Sequence, residues 1–270
     1  MNRPSTQSTL PELSVLISTY NDRNFVEKKL QEIRAQTAFE RTEFIFIEPN
    51  SPGGERELLA PFCERYTNCR LITLNEQVTL YQAWNVGWES ALAPIVCISN
   101  MDDAMHPELL ERVIEGMARN AWDVATVLIA KQVIDEDMNS WDQQRLRQLE
   151  LSTRPGPFFA WRTELKDSLG MFDERLELIG NKDFWARIDS TDLNVGLISD
   201  VLYLYTKHPM QLSKRVEFKA KKRVERVLCE NKDYPHVWSS KLYWKIRWVR
   251  LLRKLPYLWR RFYLVHSSCV

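Results

Sequence analysis

Ala93-Pro94-Ile95-Val96-Cys97-Ile98-Ser99-Asn100-Met101-Asp102-Asp103-Ala104-Met105-His106-Pro107 is the stretch on which the reading of this chain turns. Ile95 to Ile98 is a short, mostly β-branched run with the composition of a buried strand. It stops at two adjacent carboxylates, and a helix-like segment over 107–119 follows. In an α/β sheet, ligands sit at the carboxyl ends of the strands. Two acids placed there repel each other unless a cation lies between them, and hard oxygen ligands suit Mg²⁺ or Mn²⁺. The same pair would also serve to cap the next helix from a solvated loop. Spacing alone leaves both readings open.

Upstream, Leu13 to Thr19 reads as a first buried strand. The polar Tyr20-Asn21-Asp22 after it offers Asn21 and Asp22 as N-caps for a helix in which Val26, Leu30 and Ile33 share one face. Glu43 to Glu48 is a second strand, running into the turn-forming loop Glu48-Pro49-Asn50-Ser51-Pro52-Gly53-Gly54. A helix over 55–66 and a strand over 70–73 follow. Over 78–91, Tyr81, Trp84, Trp88 and Ala91 form an aromatic helical stripe with the polar Asn85 beside it. Gly87 inside that helix costs about 1 kcal/mol relative to Ala, which points to close packing there. The order βαβαβαβ predicts a mainly parallel sheet with helices on both faces.

Downstream the pattern changes. A strand is expected over 122–130, and the polar stretch 131–150 has no clear type. A turn at 154–157 precedes the apolar 158–161. A short helix over 163–169, a turn at 170–173 and a helix over 182–188 come next. Two strands are expected over 195–198 and 201–205.

The chain has 270 residues, enough for one large domain or a domain with an appendage. Its net charge of +1 hides an uneven distribution: 16 Lys/Arg against 4 Asp/Glu lie between Lys214 and Arg261, so a mildly acidic body carries a basic tail. Five cysteines form no CxxC pair, and their odd number suits a reducing cytoplasm. The first eleven residues are polar, so no signal peptide is expected. No apolar run approaches the roughly 18 residues a bilayer span needs.

In the tail, Trp244, Trp248, Leu251, Leu255, Leu258 and Phe262 recur at helical spacing, with a kink expected at Pro256. Residues 238–263 also interleave seven Trp and Tyr with eight Lys/Arg. That combination suits an anionic membrane surface, whereas a stripe of this kind also suits packing on protein. No nucleic-acid module accompanies the basic residues, so no nucleic-acid partner is expected.

Five motifs in order carry a family resemblance. They are Leu16-Ile-Ser-Thr-Tyr-Asn21, Phe46-Ile-Glu-Pro-Asn-Ser51, Trp84-Asn-Val-Gly87, Asn100-Met-Asp-Asp103, and Gly170-Met-Phe-Asp-Glu174 followed by Gly180-Asn-Lys-Asp-Phe-Trp-Ala-Arg187. Together they resemble an inverting family-2 glycosyltransferase with the GT-A fold. The resemblance implies an α/β, GT-A-type fold in which a mainly parallel nucleotide-binding sheet is flanked by helices, and the charge and spacing of the tail add a basic helical C-terminal extension. The implied division is a flexible N-terminus over 1–11, a GT-A domain over 12–213 and the extension over 214–270. It further implies a nucleotide-diphosphate sugar donor, a glycan or lipid-linked acceptor in cell-surface polysaccharide assembly, and a divalent cation, Mn²⁺ or Mg²⁺. The cysteine usage points to a cytoplasmic location, peripheral on the inner face of the membrane if the basic, aromatic tail docks there.

Residue by residue, the resemblance implies Asp102 as metal ligand and His208 as a metal or diphosphate contact. A lone His near a strand end is otherwise a structural hydrogen-bonding group. Thr19, Tyr20 and Glu48 are implied around base and ribose, and Asn100 with Asp103 orienting sugar and phosphates. Asn21, Asn50, Ser51 and Asn85 belong to the same nucleotide-sugar-binding set. Two departures stand out. Asn100 replaces the first aspartate of the DxD motif, and Asn181 occupies the place of the base aspartate. An amide cannot accept a proton at neutral pH. Asp183 is then the candidate base, or else an N-terminal helix acid favoured by the macrodipole. The alternative function is a catalytically weak or inactive homologue that binds a nucleotide sugar or a partner enzyme.

Overall fold

Apolar residues alternate along the first two strands and so divide between two cores. A computed structural model describes residues 10–133, 141–152, 156–209 and 211, together with 221–225, 242 and 245–249. The first half runs β1 (Leu13–Ser18), α1 (Arg23–Arg34), β2 (Thr42–Pro49), α2 (Glu55–Arg65), β3 (Cys69–Leu74), α3 (Leu80–Ser90) and β4 (Ile95–Ile98). The second half runs β5 (Ala104–Met105), α4 (Leu109–Asn120), β6 (Val124–Val133), α5 (Gln143–Gln148), β7 (Glu150–Leu151) and β8 (Ala160–Arg162). It ends with α6 (Leu165–Leu169), α7 (Gly180–Asp189) and β9 (Val195–Lys207).

One sheet has the order β3-β2-β1-β4-β8-β6-β9-β5, with β7 paired to β6. The strands β3, β2, β1 and β4 are parallel, as are β6 and β9, whereas β8 and β5 run against their neighbours. This is the mainly parallel α/β sheet that the strand–helix alternation requires. Val15, Ile17, Phe44 and Phe46 face one core with Val26, Leu59 and Val113 from α1, α2 and α4. Leu16, Ile45 and Ile47 face the other, with Trp84 and Trp88 of α3 and Phe184 of α7.

The α3 stripe packs as its spacing requires. Trp88 meets Trp161 edge-on at 5.1 Å and Phe184 at 5.7 Å. Such aromatic pairs contribute about 0.5–1.5 kcal/mol each beyond simple burial. A capping box starts this helix: the Gln82 N–H donates to Thr79 Oγ1 at 3.3 Å, and the Thr79 N–H donates to Gln82 Oε1 at 2.8 Å. A Cβ at Gly87 would lie 2.9 Å from Ile47 Cδ1 and 3.0 Å from Leu16 Cδ2. The glycine thus lets α3 lie directly on β1 and β2.

Three local expectations change. The segments 195–198 and 201–205 form a single strand, β9, whose register against β6 slips so that Ile198 pairs with Val127 and Val201 with Leu128. Ser199 and Asp200 bulge out, and Arg112 Nη2 donates to the Asp200 carboxylate at 2.6 Å. Within 131–150, β6 continues to Val133, and α5 and the start of β7 follow residue 142. Asp22 stands at the N-cap of α1, but its carboxylate makes no cap and accepts instead from the Tyr20 N–H at 3.1 Å.

In the tail, 221–225 and 245–249 are helical. Leu242 and Ile246 are buried in the α3 and α7 core with Val249 beside them, while Trp248 is 50% exposed. Here the packed face is therefore Leu242, Ile246 and Val249, offset from the expected Trp244–Phe262 stripe. The rest of that stripe, the Pro256 kink, residues 154 and 155 of the expected turn and residues 1–9 lie outside the described residues.

Gly87→Val should lower stability by about 1–3 kcal/mol, the usual cost of overpacking a filled core. A urea midpoint equal to that of the wild type would show that α3 is not held at contact distance.

Candidate active site

A cleft of about 950 Å³ opens at the carboxyl ends of β1, β2 and β4. Its floor comes from the exits of these strands, Tyr20, Asn21 and Asp22 on one side and Asn100, Met101 and Asp102 on the other. The first part of α3, with Tyr81 and Trp84, forms one wall. Asn181 and Lys182 of α7 and His208 after β9 complete it.

The acidic loop is built from beneath. Asp103 is 3% exposed and does not line the cleft. Its Oδ1 accepts from the Thr206 N–H at 2.8 Å, and its Oδ2 accepts from Asn100 Nδ2 at 2.9 Å and the Tyr203 hydroxyl at 3.0 Å. Its carbonyl accepts from Lys29 Nζ at 2.6 Å. Lys29 is itself buried in α1 and paired with Glu32 at 3.3 Å. Burial, reinforced by the charge of Asp102, holds the Asp103 carboxyl well above the usual range. This explains Asn100: a third carboxylate would face a buried acid, whereas the amide donates to it. Asp102 alone of the two acids turns into the cleft, where its Oδ2 lies 2.8 Å from His208 Nε2. The His208 ring rests on Phe25 at 5.2 Å.

The loops after β1 and β2 are stitched together. The Asn21 N–H donates to Ser51 Oγ at 3.0 Å, and the Ser51 N–H donates to the buried Glu48 carboxylate. Asn21 and Asn50 both take left-handed backbone, with φ of 58° and 51°. Thr19 and Glu48 are buried and Asn50 is exposed; none of them, nor Ser51, lines the cleft. Of this set, Tyr20 and Asn21 do.

The other predicted side chains divide sharply. Asn85 is buried and clamps the backbone of Phe172, donating from Nδ2 to its carbonyl at 2.9 Å and accepting its N–H at 3.0 Å. It therefore anchors the 170–174 turn and does not reach the cleft. Asp183 is 1% exposed, and its Oδ2 holds Arg187 Nε at 3.0 Å. Arg187 in turn donates to the carbonyls of Leu169 at 2.6 Å and Met171 at 2.8 Å. Asp183, the expected base, does not line the cleft. It is the partner of an arginine that ties α7 to the preceding turn. Asn181 is the residue that faces the cleft, accepting from the Tyr81 hydroxyl at 3.3 Å.

The sequence offers Asp22 only as a helix cap and gives Lys29 and Tyr203 no place in the site. Lys29 left one signal: it interrupts the apolar face of α1 between Val26 and Ile33. Tyr203 left none, since its partners Ser99, Asn100 and Asp103 lie about a hundred positions away.

Asp102 and His208 offer a carboxylate oxygen and an imidazole nitrogen, donors that Mn²⁺ and Mg²⁺ accept. Among the described residues no group of three or more His, Cys, Asp or Glu side chains could hold a metal. Two such donors would make a partial shell, as in Mg²⁺ sites where one or two protein ligands combine with substrate phosphates and water. In that manner the residues fit a cation.

A family model described as glycosyl transferase family 2 matches residues 14–175, more than half of the chain. Glycosyltransferase AglE of Haloferax volcanii is 29% identical over 118 residues, which make up 43% of this chain and 39% of that protein. The chain thus spans about two fifths of that relative. Among solved structures, S. aureus TarS 1–349 in complex with UDP-GlcNAc superposes with a TM-score of 0.63 at 18% identity, covering 90% of this chain and 72% of that one. The mannosyltransferase PcManGT from Pyrobaculum calidifontis, in complex with GDP-Man and Mn²⁺, gives 0.63 at 15% identity, covering 94% and 72%. At these identities the structural likeness is one of fold.

Burial pushes the Asp22 carboxyl up to about 7, opposed by the hydrogen bond from Tyr20 and assisted by the charges of Asp102 and Glu55. A native pKa above the unfolded value of about 3.9 means that Asp22 subtracts stability as pH rises through that interval. Asp22→Asn retains an acceptor for the Tyr20 N–H. In metal-free buffer it should match wild type near pH 4 and exceed it at pH 8 by on the order of a few kcal/mol. Chemical denaturation at both pH values checks this, and the same offset at both would mean the carboxyl titrates normally.

Proposed function

The chain belongs to glycosyl transferase family 2 and has the GT-A fold, and we propose that it moves a sugar from a nucleotide-diphosphate sugar to a glycan or glycolipid acceptor in cell-surface polysaccharide assembly. The observation that carries this reading is one cleft in which the β1 exit at Tyr20–Asp22 meets Asn100, Asp102 and His208. The complexes of TarS with UDP-GlcNAc and of PcManGT with GDP-Man and Mn²⁺ support a donor of this class.

In this reading Tyr20 and Asn21 flank the nucleotide, and Thr19, Glu48, Asn50 and Ser51 shape the loops behind it. Asn100, Asp102 and His208 lie at the diphosphate. Asp103 and Asn85 act as positioning residues through the loops they hold. A divalent cation, Mn²⁺ or Mg²⁺, supplies neutralisation of the charge that develops on the leaving phosphate. Asp102 and His208 are the residues that would hold it. The α3–α7 wall receives the acceptor opposite the diphosphate, an arrangement that gives inversion at the anomeric carbon. The catalytic domain is assigned to 12–213, with 1–11 as a leading segment and 214–270 as an extension.

One observation favours a second reading. Asn181 faces the cleft as an amide and Asp183 is occupied by Arg187, as in a homologue that binds a nucleotide sugar or a partner enzyme without turnover. Titration calorimetry beside a donor-hydrolysis assay separates the two, because binding without turnover favours the second.

The extension is assigned to an anionic membrane surface, which would place the protein on the cytoplasmic face. Among the described residues no helix is long and apolar enough to cross a membrane. Support comes from the segment 245–249, which buries Ile246 while leaving Lys245, Arg247 and Trp248 exposed. Tryptophan prefers the boundary between water and acyl chains, and each basic residue near anionic lipid contributes about 1 kcal/mol.

Asp102→Ala should abolish the Mn²⁺-dependent thermal stabilisation produced by UDP or GDP while leaving the ligand-free melting temperature within a few degrees, because the side chain lies on a loop in the cleft. A wild-type metal response in this variant would remove Asp102 from the cation site. For the extension, co-sedimentation should show binding to anionic vesicles that weakens with salt and is lost on truncation after Asp233. Failure to bind, with truncation yielding insoluble protein, would assign the extension to packing alone.

A further inference from the structure

The cleft is lined by acidic and by basic side chains. Asp22 and Asp102 stand beside the strand exits. Lys131 of β6, Lys182 of α7 and Lys222 of the 221–225 helix line the same cavity. Lys131 is paired with Glu150 at 2.6 Å. Lys222 belongs to a segment far along the chain from the domain's motifs, and it is brought to the cleft by a specific fastening. Glu225, 2% exposed, accepts the backbone N–H groups of Glu177 at 2.9 Å, Leu178 at 3.0 Å and Ile179 at 3.1 Å. Lys221 adds an ion pair to Glu177. A carboxylate that receives three N–H groups where a helix begins is compensated by hydrogen bonds and by the helix dipole, so it tolerates burial. That helix is α7, which carries Asn181 and Lys182 into the cleft.

The same wall offers little to deprotonate a hydroxyl. Asn181 is an amide, Asp183 holds Arg187, and Glu177 holds Lys221. An acceptor whose reacting oxygen is already anionic removes that need. Resting on the sugar-transfer reading above, we propose that the 221–225 helix completes an acceptor subsite in which Lys222 and Lys182 take a phosphomonoester, and that an oxygen of this phosphate is the nucleophile. A phosphate oxygen forms the bond to the anomeric carbon as the bond from that carbon to the donor's diphosphate oxygen breaks. The electron pair leaves with the nucleoside diphosphate. A phosphomonoester carries about −1.5 to −2 charge at neutral pH, so no proton has to be taken up. Lysines serve as point-charge partners for such a group, and Glu225 is the positioning residue that holds them in one wall.

The phosphate can be borne by a lipid or by a small polyol, so the test uses both. Calorimetry on the full chain would compare geranyl phosphate, glycerol 3-phosphate and the neutral geraniol, with UDP or GDP plus Mn²⁺ as a separate probe of the donor site. Geranyl phosphate should bind at least about tenfold more tightly than geraniol. Preference for geranyl phosphate over glycerol 3-phosphate marks a lipid carrier, and equal binding marks recognition of the phosphate alone. Lys222→Glu and Asn181→Asp should each weaken phosphate binding by about tenfold or more while nucleotide affinity stays within about twofold. Glu225→Gln should weaken it less than Glu225→Ala, since the amide keeps one acceptor. Phosphate binding unchanged in Lys222→Glu, or geraniol binding as tightly as geranyl phosphate, would overturn the proposal while nucleotide binding persists. Unchanged binding in Asn181→Asp would place the phosphate away from the reacting centre and overturn the nucleophile assignment. Absence of nucleotide binding in the wild type would instead overturn the sugar-transfer reading itself.

Discussion

A buried carboxylate is costly unless every lone pair is answered, and the site depends on how this chain answers those of Asp103. The Thr206 N–H, the Asn100 amide and the Tyr203 hydroxyl converge on its two oxygens, and Lys29 holds its carbonyl. These partners come from β9, from the loop itself and from α1, so the acidic loop is fixed only when three parts of the fold have met. Asp102 owes its position to this arrangement. With its neighbour sequestered below, it is the acid left to face His208 across the cleft.

The acceptor-side wall follows the same physical scheme, in which polar side chains hold backbone. Asn85 grips both backbone groups of Phe172, Arg187 collects the carbonyls of the preceding turn, and Glu225 gathers three N–H groups ahead of α7. Each clamp satisfies main-chain groups that would otherwise be buried without partners. Around them the aromatic core of Trp88, Trp161, Phe172 and Phe184 supplies the burial that keeps these polar contacts away from water. The turn at 170–174 and the helix at 180–189 are thus one unit, and the motif residues within them are explained by its construction.

The order of strands and helices and the two-faced division of the core were determined by sequence, because side-chain alternation and helical spacing are local properties. β4 has the bounds that its β-branched run gives, and Gly87 was readable as a point of close approach. The acidic pair at the end of β4 and the five ordered motifs likewise point to the family, because each is a short contiguous pattern. Tertiary structure decided which polar side chain reaches the cleft. Asn181 and Asp183 are two residues apart on one helix, yet one lines the cavity and the other pairs with Arg187. Asp102 and Asp103 are adjacent and point to opposite fates. Asp183 finds Arg187 one helical turn on, but the other contacts that set these directions join residues about a hundred positions apart, such as Asp103 with Tyr203 and Thr206, or Tyr81 with Asn181. No local pattern encodes such partners, because they come into existence only when the sheet closes and brings its distant edges together.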